Sequence, residues 1–131
     1  MENTKALPEN ILKTLHKGVV IPAMPLALNK NRKLDERRQR AIIRYYLDAG
    51  AGGVAVAVHT TQFEIRLPEI NLYEPVLRIA REEFDHFSTT TGKPVIRIAG
   101  IIGQTEQAER EAGLALLQGY HAGLLSLAAF P

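Results

Sequence analysis

Apolar residues along the chain fall into two alternating textures: short continuous runs, and longer stretches with a helical period. Gly18-Val-Val-Ile21 is a short apolar run closed by Pro22 and Pro25, which predicts a strand and its exit loop. From Asp35 a charged stretch carries Ile42, Tyr45, Tyr46 and Ala49 at helical spacing and stops at Gly50. Gly53-Val-Ala-Val-Ala-Val58 is apolar throughout, the pattern of a strand buried on both faces. Asn71 and Glu74 have the spacing of a capping box. The helix they predict places Leu72, Val76, Ile79, Ala80, Phe84 and Phe87 on one face and ends at Gly92. Pro94-Val-Ile-Arg-Ile-Ala99 predicts a third strand. Thr105 then caps a helix with Ala108, Ala112, Ala115 and Leu116 on one face, terminated by Gly119. Ala122–Ala129 reads as a fourth strand. Residues 1–17 add a short amphipathic helix through Ile11, Leu12 and Leu15.

Strand and helix alternating so regularly predict an α/β fold of parallel strands joined by right-handed crossovers. The expected organisation is an N-terminal helical segment, 1–17, followed by (β/α) units over 18–131. An open four-stranded sheet fits this length. A (β/α)8 TIM barrel needs roughly 200–250 residues or more, so these units would be about its first half. No helix follows the last strand to cover its outer face, since Phe130-Pro131 comes directly after it. That favours the first half of a (β/α)8 barrel, a domain incomplete as it stands or completed by something else.

Composition narrows the function classes. The 131 residues carry a net charge of only +2 and no cysteine, which excludes disulfides and thiolate metal sites. No apolar run reaches the roughly 18–20 residues that span a bilayer, and the N-terminus lacks the apolar centre of a signal peptide. A cytoplasmic protein without membrane contact is expected. Seven of the sixteen basic residues crowd into Lys30–Arg44 without interleaved aromatics, which reads as a solvated helix face and not a nucleic-acid site. His16, His59, His86 and His121 show no metal-ligand spacing, so neither metal nor cofactor is expected. Arg97 interrupts an apolar strand, and a charge there requires either a carboxylate partner, expected from the other half of the barrel, or an inward position facing a ligand.

In either architecture ligands gather beyond the carboxyl ends of the strands. Those ends carry Pro22-Ala-Met-Pro25, His59-Thr-Thr-Gln62, Ile102-Gly-Gln-Thr105 and Ala129-Phe-Pro131. The hydroxyls of Thr60 and Thr61, with the fork of Arg66 in the following loop, have the donor chemistry to hold a carboxylate. A Ser/Thr turn that merely closes the strand explains the same residues.

The chain resembles the N-terminal half of the dihydrodipicolinate synthase / N-acetylneuraminate lyase family of Schiff-base aldolases over residues 18–131. The resemblance rests on Gly18-Val-Val-Ile-Pro-Ala-Met-Pro-Leu26, Leu34-Asp-Glu, Asp48-Ala-Gly-Ala-Gly-Gly53, Val58-His-Thr-Thr61, Lys93-Pro-Val-Ile96 and Ala99-Gly100. It implies a lyase, or class I aldolase, that binds pyruvate or another 2-oxo acid. Thr60 and Thr61 would stand at the family's carboxylate-binding threonines, with Thr61 expected to make the carboxylate contact. The resemblance also implies a homo-oligomer.

The sequence departs from the family in its loop and in its relay. His59 and Gln62 stand where the family keeps glycines, and the relay tyrosine falls on Ala129 or Phe130, neither with a hydroxyl. His59 is the candidate replacement proton carrier, since an unperturbed imidazole titrates near 6.5. The Schiff-base lysine of the sixth strand is not among the six lysines here. The alternative is a non-catalytic half-barrel module that binds a partner chain or self-associates through exposed strand edges.

Overall fold

A computed structural model describes residues 6–129. Three parallel strands, β1 (Gly53–Val56), β2 (Ile96–Ile101) and β3 (Ala122–Leu125), lie in the order β1-β2-β3. Helix α1 (Glu9–Lys17) precedes α2 (Glu36–Asp48), while α3 (Tyr73–Thr91) and α4 (Thr105–Leu117) form the crossovers between successive strands. Gly53 pairs with Ile96, and Ile98 with Ala122, so β2 runs two residues past the end of β1 and β3 begins two residues into β2. The fold class read from the sequence is therefore the observed one.

Several expected elements differ in detail. Residues 18–21 form no regular strand; the segment runs parallel to β1 and closes one bridge, Ala23 to Ala55. Val20 and Pro22 accept from the Gly52 and Ala55 N–H groups, at 3.0 and 2.9 Å. Pro22 has no N–H to return a bond, so the ladder is interrupted where it would begin. The fourth predicted strand stops at Leu125, and Leu127–Ala129 turn into a short 3-10 segment. Asn71 is no cap: it sits in the left-handed region at φ 48°, Leu72 takes the cap position, and no side chain caps α3. Thr105 is likewise already inside α4, behind Gln104. Asp35 does cap α2, accepting from the Arg38 N–H at 3.0 Å.

The core lies between the sheet and α2 and α3, with Ile43, Val54, Val56, Val76, Ile79 and Phe84 at its centre. Helix α3 buries the face read from its apolar period. Helix α2 is rotated from expectation: Gln39, Ile43 and Leu47 are buried, whereas Tyr45 is exposed. Gln39 belongs inside because its amide accepts from the Ala27 N–H at 2.8 Å and donates to the Pro25 carbonyl at 3.0 Å. Its polar atoms are thereby satisfied, which a hydrophobicity count does not register. Helix α4 turns Glu111 and Ala115 inward and leaves Ala112 and Leu116 exposed. Strand β3 is exposed at every position, although it pairs with β2 along its length.

The basic cluster is not simply a solvated face. Arg40 donates to Glu36, Glu82 and Glu83, and Arg44 donates to Glu83 at 2.6 Å, tying α2 to α3. The Glu83 side chain is only 4% exposed. Burial pushes its carboxyl up, but hydrogen bonds from Arg44 and Arg40 outweigh that and hold it below the ordinary value of 4.5. Hydrogen bonds from Arg40 and Arg78 hold Glu82 below its ordinary value too. Folded carboxyls lowered in this way stabilise above their unfolded pKa, and the contribution is lost as pH falls through the folded values. Urea unfolding should show stability level near pH 7 and falling below about pH 4.5, with a shallower fall in Glu83→Gln. Equal acid slopes in the two proteins would contradict this account.

Arg97 finds its carboxylate not in another half of a barrel but within these residues, on the helix layer. Its Nη2 donates to Asp85 of α3 at 2.6 Å, and its guanidinium lies 5.8 Å from the Phe84 ring centroid. It is a structural pair and does not face the inner side of the sheet.

Candidate functional site

The carboxyl ends of β1 and β2 are strapped together by one buried polar group. Ala57 takes the left-handed conformation at φ 62° while fully buried, which ends β1 two residues before the apolar run does. Its carbonyl, turned out of the ladder, accepts from Arg66 Nη2 at 2.9 Å, and the same nitrogen donates to the Gly100 carbonyl at 3.0 Å. Arg66 Nε donates to Glu111 Oε1 at 2.8 Å, with side-chain exposures of 7% and 5%. Glu111 also accepts from the Ile102 N–H at 2.9 Å and from Gln107 at 3.1 Å.

Tyr73 completes the group. Its hydroxyl donates to the Gly100 carbonyl at 2.9 Å, and its ring lies 4.6 Å beneath the guanidinium. Burial, with the Glu111 charge, pushes the phenol above its ordinary range, so it remains a donor. Gly100 allows the two strand ends to meet, because a methyl there would lie 2.6 Å from the Ala57 carbonyl carbon.

In front of this strap lies a cleft of about 470 Å³. Its wall includes Ala23, Ala55, Val58, Ile101, Ile102 and Leu124, and its polar side chains are His59, Thr60 and Ser126. The loop after β1 forms it through two short 3-10 turns, His59–Thr61 and Phe63–Arg66. His59 is exposed and meets the Phe63 ring edge-on, with centroids 5.5 Å apart. The Thr60 hydroxyl donates to the Met24 carbonyl at 3.2 Å. The Thr61 hydroxyl donates to the same carbonyl at 2.6 Å and is fully buried.

The expected site residues are thus divided. His59 and Thr60 face the cleft. Thr61 lies behind it, holding the loop to the first extended segment, and Arg66 lies beneath it in the strap. Ala129 is exposed and does not line the cleft, and Phe130 lies outside the described residues. Ser126 and Phe63 join the wall without having been singled out. For Ser126 the available signal is its place just past the carboxyl end of β3; for Phe63 no local pattern distinguishes it from any loop aromatic. Among the described residues no group of three His, Asp or Glu side chains is arranged to hold a metal ion. No described helix is long and apolar enough to cross a membrane.

The chain matches no protein-family model and no curated protein sequence. Solved structures do share its fold. Dihydrodipicolinate synthase from Bacillus clausii superposes with a TM-score of 0.67 at 18% identity, over 86% of this chain and 36% of that one. The synthase from Aquifex aeolicus gives 0.64 at 19% identity, over 82% of this chain and 33% of that one. YagE, a prophage protein of the dihydrodipicolinic acid synthase family from E. coli K12 solved with pyruvate, gives 0.61 at 18%, over 80% of this chain and 33% of that one. The chain spans about a third of the length of these structures. The resemblance read from its motifs therefore holds in three dimensions, as a likeness of fold to part of a TIM-barrel protein.

Proposed function

We propose that this chain is the N-terminal (β/α) portion of a barrel lyase of the dihydrodipicolinate synthase type, acting on pyruvate or another 2-oxo acid. The observation that carries the reading is the cleft at the carboxyl ends of parallel strands, with Thr60 and His59 on its rim, in a fold shared with that family. Thr60 supplies a hydroxyl to the substrate carboxylate: its bond to Met24 is long, and its side chain reaches the cleft. Thr61 and Arg66 act indirectly, by fixing the loop and the strand ends.

Among the described residues no lysine lines the cleft. The reaction accordingly requires an amine from residues beyond these 131. That amine adds to the 2-oxo carbon, water leaves, and the iminium so formed loses a proton from the adjacent carbon to give the nucleophilic enamine. His59 carries protons in this scheme.

Sodium borohydride added to the protein isolated from its source, in the presence of pyruvate, should leave a lysine joined to pyruvate through a secondary amine, read by mass spectrometry. Absence of any adduct would remove the Schiff-base reading. His59→Gln should retain trapping yet lose turnover by about 100-fold or more. Unchanged turnover would take the proton relay away from His59.

A further inference from the structure

We propose, resting on the 2-oxo acid reading above, that the aldehyde side of the substrate is uncharged and apolar, an alkyl or aryl group. Among the described residues, the wall that this chain gives the cleft contains no Asp, Glu, Lys or Arg side chain. Arg66, the cation placed nearest by the sequence, is turned away, with Nε on Glu111 and Nη2 on two backbone carbonyls. A second carboxylate or a phosphate entering this wall would lose its hydration and gain no counter-charge, which costs several kcal/mol.

A polyhydroxylated chain fares little better. Thr60 is assigned to the 2-oxo acid carboxylate, which leaves His59 and Ser126 as the polar side chains on this wall, too few for a run of hydroxyls. The rest offers apolar contact. Val58, Ile102 and Leu125 stand around the strand ends, and Phe63 presents its ring beside the His59 edge. Fixed aromatic and branched aliphatic groups of this kind gain affinity from burying carbon surface.

The test is an aldehyde panel with pyruvate on the protein isolated from its source, preceded by borohydride trapping of pyruvate alone. In the condensation the enamine carbon bonds to the aldehyde carbon, and the aldehyde oxygen takes up a proton. Isovaleraldehyde and benzaldehyde should be consumed with kcat/KM at least about tenfold above succinic semialdehyde and glyceraldehyde. Trapping of pyruvate with equal or reversed preference, or with neither apolar aldehyde consumed, overturns the proposal and leaves the 2-oxo acid reading standing. Failure to trap pyruvate overturns both. Phe63→Arg should narrow the preference by raising use of succinic semialdehyde; if that variant does not fold, the unmodified protein's panel decides alone.

Discussion

Glu111→Ala should cost about 3–5 kcal/mol of folding stability, the scale of breaking a buried ion pair by removing one partner. The buried carboxylate is held by the buried Arg66 guanidinium and by the half-buried Ile102 N–H and Gln107. Its loss leaves a buried guanidinium whose remaining partners are carbonyl oxygens, and it leaves a backbone donor at the cleft without its acceptor. A second variant separates charge from packing. Arg66→Met combined with Glu111→Leu removes both charges together and should recover most of the loss, because two apolar side chains leave no ion unpaired. Urea unfolding of the single and double variants reads the difference. If the double variant is as unstable as Glu111→Ala, the strap acts through packing, and the charge argument fails.

Gly100→Ala should be the next most damaging change, at about 3 kcal/mol, the upper range for overpacking. The added methyl meets backbone at the Ala57 carbonyl and, at 2.9 Å, the Val58 nitrogen. Both are backbone atoms and not the far end of a flexible side chain, so neither gives way cheaply. The Gly100 carbonyl also receives Arg66 and Tyr73, so the disturbance passes into the strap and the cleft floor. Gly113 provides the contrast. It lies within α4 with nothing within 4 Å of an added Cβ, so Gly113→Ala should stabilise by about 0.5–1 kcal/mol. Thermal unfolding of the two variants should therefore move in opposite directions, and a destabilised Gly113→Ala would discredit the helix-propensity argument.

How legible each element was depended on whether its cause was local. Helix α3 buries Val76, Ile79, Ala80 and Phe84 because one continuous apolar stripe leaves a single way to bury it. Helix α2 carries two competing stripes. The stripe of Ile42 and Tyr45 is the more apolar, yet Gln39, Ile43 and Leu47 go inward because the 25–27 loop supplies the bonds that Gln39 needs. Asn71 and Thr105 have the residue types of caps, but their neighbours had already fixed the backbone, at Asn71 with a positive φ. The apolar strand after Gly53 was visible throughout, whereas the turn that ends it at Ala57 was not, since alanine carries no sign of a left-handed conformation.

The site divides along the same line. The chain order places His59, Thr60 and Thr61 after a buried strand, and that alone puts them at a carboxyl edge where ligands bind. Sequence likewise determined the α/β class and the parallel alternation, because both follow from periodicity, which is local and repeated. Which hydroxyl faces the cleft, that Arg66 turns from ligand to strap, and that Glu111 is buried at all were decided by tertiary structure. Those outcomes depend on partners between 9 and 45 residues away along the chain, brought close only when the strands pair. A polar side chain's role depends on what satisfies it, and no window of neighbouring residues contains that information.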